Sequence, residues 1–175
     1  ENSIGFPNSK DHAEHMRGLK PFGIEAVEYM NDLGIAVDVS HLSEGGFYDV
    51  AAHGKKPFIA SHSCARALCN ESRNLTDEQL KKIGETGSLV GVNFYSGFLN
   101  LNSGYTSLEH IVQHALYMAD KAGIESICLG SDFDGIENEL EMKDFSGMPM
   151  LVESLNKKFK ASQVDLIAHG NAMRF

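Results

Sequence analysis

Four times along this chain an amphipathic segment runs to a glycine and is followed by a short apolar run, and that repeat constrains the fold more than any other feature. The first segment opens at Pro21, whose missing N–H has no helical partner to lose at a first-turn position. It carries Ile24, Val27, Met30 and Leu33 at three-residue spacing and stops at Gly34, ahead of Ile35-Ala36-Val37-Asp38-Val39. The second starts near Ser43, ends at His53-Gly54 and leads into Pro57-Phe58-Ile59-Ala60-Ser61. Thr76 with Gln79 three positions on makes a capping box for the third, which closes at Gly87 before Ser88-Leu89-Val90-Gly91-Val92-Asn93-Phe94. Thr106 with Glu109 is expected to cap the fourth, whose Leu108, Ile111, Val112, Ala115, Leu116 and Ala119 share one face. Gly123 ends it, and Ser126-Ile127-Cys128-Leu129-Gly130 follows. A helix over Met150 to Lys160 and another from Ser162 to the end are also expected. Continuous apolar strands alternating with helices predict an α/β fold, a parallel sheet whose crossovers are helices.

Length sharpens this. The chain has 175 residues and shows no linker or composition shift, so it reads as one domain over 1–175. That falls short of the roughly 250 residues of a complete eight-fold βα barrel, which leaves a doubly wound sheet or a partial barrel. The opening Glu1-Asn2-Ser3-Ile4-Gly5-Phe6-Pro7 reads as a loop entered from something upstream, and the last helix is still running at Phe175. Neither end reads as a natural domain terminus. A net charge of −9 argues against a nucleic-acid partner, because phosphate binding needs clustered Lys and Arg. No apolar run reaches the roughly 18 residues of a membrane span, and the opening lacks the features of a signal peptide. Three irregularly spaced cysteines do not make a disulfide framework and fit a reducing, cytoplasmic location.

In parallel α/β folds functional groups gather where strands end. Val39-Ser40-His41 and Ser61-His62-Ser63 each end a strand in Ser-His, 21 residues apart, and Ser131-Asp132 ends another with a carboxylate. If the first two strands pair, they lie about 4.8 Å apart, and both imidazoles can reach one metal at ~2.0–2.1 Å. His41, His62 and Asp132 therefore form either a metal site, with zinc the natural ion, or a polar network. Arg73, in the loop after the strand bearing His62, serves either as a bidentate clamp for a carboxylate or as an ion-pair partner of Glu71 or Asp77. Other candidates carry less. His110 and His114 stand four apart but lack the Glu of a zinc-binding His-Glu-x-x-His motif and read as a solvated helix face. His12 and His15 read as surface. Asp132-Phe133-Asp134-Gly135 has its glycine in the wrong place for a calcium loop. Cys64 and Cys69 read as small buried residues on a short helix.

Taken together, Gly18-Leu19-Lys20-Pro21-Phe22-Gly23, Asp38-Val39-Ser40-His41, Ser61-His62-Ser63, Ser72-Arg73-Asn74, Val92-Asn93-Phe94-Tyr95 and Gly130-Ser131-Asp132-Phe133-Asp134-Gly135 resemble the membrane (renal) dipeptidase family, over nearly the whole chain and in the family's order. The resemblance implies a (β/α)8 TIM-barrel type of fold, represented here by about four βα units. It implies a hydrolase of small dipeptides with two zinc ions bridged by a hydroxide. His41 and His62 match the pair that binds the second zinc, Asp132 the acidic residue that handles the proton of the bridging water, and Arg73 the residue that holds the dipeptide's carboxylate. The His-x-Asp pair and the bridging glutamate that hold the first zinc are absent. The resemblance thus implies the C-terminal half of such a barrel. That half is expected to be weak or inactive alone and to pair with a missing N-terminal half or self-associate. Rival readings are a non-enzymatic scaffold of the same fold, or a metal-dependent amidohydrolase acting on another carboxylate-bearing amide.

Overall fold

The computed structural model describes residues 3–102, 104–137 and 139–175. Its strands, in chain order, are β1 (Ile59–Ser63), β2 (Leu89–Val92), β3 (Tyr105–Thr106), β4 (Ile127–Leu129) and β5 (Glu139–Leu140). Its α-helices are α1 (His12–His15), α2 (Pro21–Leu33), α3 (Glu44–His53), α4 (Asp77–Glu85), α5 (Ser96–Leu99), α6 (Leu108–Ala122), α7 (Met148–Asn156), α8 (Ala161–Asp165) and α9 (Asn171–Arg174). A π-helical turn over Leu166–Gly170 joins the last two.

β1, β2 and β4 form a parallel sheet in that order, and α4 and α6 make the crossovers between them. The expected strand over 35–39 contracts to one parallel bridge, Asp38 with Ile59. The Val39 N–H donates to the Ile59 carbonyl at 2.8 Å, and the Ile59 N–H donates to the Val37 carbonyl at 2.9 Å. This segment adds a fourth parallel rung on the free side of β1. The fold is therefore α/β with consecutive parallel strands, an arc consistent with part of a barrel. β3 and β5 make a separate two-stranded parallel pair.

Local chemistry accounts for the elements. Pro21 sits in the first turn of α2, and Gly34 ends it at φ 73°, where a side chain would be strained. The Thr76–Gln79 capping box is present, with Thr76 Oγ1 accepting from the Gln79 N–H at 3.2 Å and Gln79 Oε1 accepting from the Thr76 N–H at 2.9 Å. The cap of α6 moves by one residue. Thr106 lies in β3, and Ser107 caps the helix with His110 as its reciprocal partner. β1 runs from Ile59 to Ser63, two residues later than the apolar run: Pro57 has no N–H to give and the Phe58 N–H goes to the Ser88 hydroxyl at 3.0 Å, and His62 falls inside the strand. The core fills the space between sheet and helices with Phe47, Leu80, Ile83, Phe94, Ile111, Met118, Ile127, Leu151, Leu155 and Ile167, all nearly or fully buried. Each buried side chain of this size contributes about 1.5–3 kcal/mol. Leu33, expected on the inner face of α2, is exposed, as is Ile35 beside it at the open edge of the sheet. No described helix is long and apolar enough to cross a membrane.

Candidate active site

The carboxyl ends of the parallel rungs carry a connected set of polar side chains. At the first rung Asp38 accepts from the Ser40 N–H at 3.0 Å and the Ser61 N–H at 3.1 Å, and also from the Ser61 hydroxyl. Partial burial works to raise its pKa, but these bonds outweigh it and hold the carboxyl below its ordinary value. Ser40 Oγ accepts from the His62 N–H at 2.9 Å, which stitches the two rungs together at the level of the histidines. The register of β1 against β2 breaks between Ala60 and Ser63. Such a bulge re-aims the side chain it carries, here His62. Two glycines make room for it. A Cβ on Gly91 or Gly130 would lie 2.1 or 1.9 Å from the Ser61 carbonyl oxygen.

His41 Nε2 and His62 Nε2 are 2.9 Å apart, with ring centroids 4.9 Å apart. The proton on Ser61 decides which ring atom of His62 is free. A carboxylate only accepts, so Asp38 consumes the Ser61 hydroxyl proton, and Ser61 Oγ then accepts from His62 Nδ1–H at 2.7 Å. His62 Nε2 is left with a lone pair aimed at His41 Nε2. At His41, burial first, then the Arg73 guanidinium and His62, outweigh Asp132 and Asp38 and lower the imidazole pKa, favouring the neutral ring. Two imidazoles on one tetrahedral zinc would stand about 3.3 Å apart, given Zn–N of roughly 2.0–2.1 Å. The pair needs to open by only a few tenths of an ångström, with the proton that His41 Nε2 donates to His62 moved to His41 Nδ1, and the two Nε2 lone pairs then fit such an ion. Among the described residues no group of three His, Cys, Asp or Glu stands ready to hold a metal.

An open cleft of about 460 Å³ lies against His41 and is lined also by Arg73, Tyr95, Phe98, Asp132 and Glu137. His62 sits beside it, in contact with His41 rather than in the lining. Asp132 adopts φ 64°, a left-handed conformation unusual for a side chain other than glycine. Asn93, fully buried, fixes it. Its Nδ2 donates to Asp132 Oδ2 at 3.1 Å while its Oδ1 accepts from the Tyr95 N–H at 2.6 Å. Gly135 leaves the needed space, since a Cβ there would meet Asp132 Oδ1 at 2.2 Å. Arg73 is half-buried with its guanidinium 5.4 Å from the centre of the Phe98 ring. It pairs with neither Glu71 nor Asp77. Glu71 faces Lys10 at 3.4 Å, and Asp77 accepts from the Tyr117 hydroxyl at 3.0 Å. Burial lowers the Arg73 pKa, partly offset by the charges of Asp132 and Asp38.

Several residues given no role from sequence belong to this assembly: Asp38, Ser40, Ser61, Asn93 and Phe98. Asp38 and Ser40 alternate along one rung and Ser61 precedes His62, a spacing that signals side chains at one rim. Other histidines depart from their expected surroundings. His114 is buried, accepting from the Ala65 N–H at 3.1 Å and bonded to the Leu99 carbonyl at 3.2 Å, and His110 caps its helix. His15 is buried against Glu44 and Arg66. Cys64 and Cys69 are buried as expected, but on either side of a turn at 66–68 rather than on a helix.

Parallel rungs with this rim place the chain among α/β proteins whose solved neighbours are metallopeptidases. A metallopeptidase from Rhodobacter sphaeroides, solved with a phosphinate mimic of the dipeptide L-Ala-D-Ala, matches 89% of the chain and 45% of its own at TM-score 0.84 and 34% identity. The chain belongs to the membrane dipeptidase family, peptidase family M19, whose model matches residues 3–175. An uncharacterized protein in the pqqA 5′ region of Klebsiella pneumoniae is 42% identical over 86% of the chain, and an uncharacterized dipeptidase of Schizosaccharomyces pombe 35% identical over 90%. The chain spans 55% and 39% of those two relatives.

Proposed function

We propose that this chain carries the part of a zinc dipeptidase site that holds one zinc through His41 and His62, moves a proton on Asp132 and anchors the free carboxylate of a dipeptide on Arg73. The observation that carries the reading is the His62 Nε2 lone pair, set by Asp38 and Ser61, facing His41 at the wall of a cleft shared by Arg73 and Asp132. Zinc bound there supplies Lewis-acid polarisation of the scissile carbonyl and brings the pKa of water to about 7.

The chain's own residues do the rest. Arg73, stacked near Phe98 and without an ion pair among the described residues, offers a fork that grips a carboxylate in two parallel hydrogen bonds. Asn93 occupies Asp132 Oδ2 and leaves Oδ1 to take a proton from water and return it to the leaving amine. The dipeptide mimic bound by the Rhodobacter relative supports the substrate class. Two histidines are fewer than the three protein ligands a catalytic zinc normally has. The reading therefore has this chain as one portion of a two-zinc site, weakly active or inactive alone. The remaining ligands come from a partner portion seated on the open edge beside Ile35, or the chain self-associates there.

Zinc stoichiometry tests this. One zinc per chain, lost in His62→Ala, is expected; two per chain would contradict the half-site, and none would leave a scaffold.

A further inference from the structure

Arg73 is held by a second arginine that does not reach the cleft. Arg66 begins the same loop, and its N–H donates to the Leu75 carbonyl at 2.8 Å, closing the loop at its base. Its side chain then folds back inside. Nε donates to the Asn74 carbonyl at 2.9 Å and Nη2 to the Ser72 carbonyl at 3.0 Å. These are the two carbonyls that flank Arg73. The remaining arm, Nη1, donates to Glu44 Oε2 at 2.9 Å. Glu44 opens α3, three positions after His41. The buried ring of His15 packs on this pair, 3.3 Å from Nη2 and 3.4 Å from Glu44, and leaves it only partly exposed. One planar, rigid group thus ties the Ser72–Arg73 and Asn74–Leu75 peptide planes, one on each side of Arg73, to the segment that presents His41. An ammonium cannot span the three acceptors in one plane, so lysine is no substitute.

We propose that Arg66 is a positioning residue for substrate recognition: through the Ser72 and Asn74 carbonyls and Glu44 it fixes where Arg73 presents its guanidinium relative to His41. It touches no substrate, yet the preference for a free carboxylate depends on it. The inference rests on the reading of Arg73 as the carboxylate anchor. A misplacement of about 1 Å is enough to cost an oriented contact most of its effect.

The test uses the full chain and equilibrium binding, which needs no turnover. Ala–Ala and its C-terminal amide are titrated by calorimetry against the wild type, Arg66→Lys, Arg73→Met and the double variant. The wild type is expected to favour the acid by about tenfold, the equivalent of roughly 1.4 kcal/mol. Arg66→Lys should shrink that ratio to about twofold or less with the amide affinity unchanged, and should add nothing in the Arg73→Met background. An intact ratio in Arg66→Lys, an equal loss of acid and amide binding, or a further loss in the double variant would overturn the proposal. Should Arg66→Lys fail to fold, Glu44→Gln loosens the same fork and must lower the ratio in part; an unchanged ratio there also overturns it. A wild type with no preference for the acid, or an Arg73→Met protein that keeps the wild-type preference, defeats the reading of Arg73 itself, a result distinct from the failure of Arg66.

Discussion

Two histidine environments, His114 on α6 and the His41–His62 pair at the rim, differ in a way that separates architecture from chemistry. His114, on α6, has both ring nitrogens engaged by backbone, the Ala65 N–H and the Leu99 carbonyl, and only 2% of it reaches solvent. Burial, against a smaller opposing pull from the Leu99 carbonyl, pushes its pKa down to about 4. Nothing is left over for a ligand. At His41 desolvation also favours the neutral ring, and His62 is held through Nδ1, but their two Nε2 atoms face each other next to open space. A structural histidine exhausts its hydrogen-bonding capacity. A candidate ligand is oriented through one nitrogen so that the other stays available.

The largest test of that contrast is at the rim. In an active enzyme containing this chain, Asp132→Asn should lower kcat by about 10²–10⁴-fold, the range of general acid–base catalysis, with zinc content unchanged. Retained turnover would remove Asp132 from the chemistry.

The next effect is at His114. Unfolded, its imidazole takes a proton near 6.5, whereas folded it does so only near 4. The unfolded state binds more protons in between, so stability is fully present above pH 6.5 and falls as the pH drops toward 4. The loss is on the order of 3 kcal/mol at 1.36 kcal/mol per pKa unit. Urea midpoints at pH 7 and 4.5 should show it in the wild type and show a smaller slope in His114→Gln. Equal slopes would put the ring in water after all.

Smaller again, Ser61→Ala removes the link between Asp38 and His62 Nδ1. Zinc affinity should weaken about ten- to hundredfold by chelator competition, with little change in melting temperature. Wild-type affinity would break the argument that Ser61 sets the tautomer. The smallest effect lies far from both regions. Thr76→Ala should cost about 1 kcal/mol through its capping box and leave zinc binding untouched.

How legible this was depended on how local each cause is. The Thr76 box, the glycine stop at Gly34 and the apolar face of α6 are set by neighbours within one or two turns, and the sequence displays them directly. The strand bearing Asp38 was legible as an apolar run but contracts to one bridge, because it pairs on one side only. His15 looked like surface because Glu44 and Arg66, which bury it, come from distant segments. His114 had a local signal, three residues after Ile111 and four before Met118 on the buried stripe, that its spacing from His110 obscured.

By itself the sequence determined the alternation of helix and parallel strand, and with it the rim where His41, His62, Arg73 and Asp132 collect, since periodicity and chain direction settle which ends of the strands share a side. Only the tertiary structure decided which atoms of those residues are free. That outcome turns on one hydroxyl proton at Ser61, on a buried Asn93 beneath Asp132 and on the grip of Arg66 behind Arg73. Each of these networks is closed by a bond between distant residues, Asp38 with Ser61, Arg66 with Glu44 and Asn93 with Asp132, 22 to 39 positions apart, and no spacing rule along a chain encodes where such groups meet.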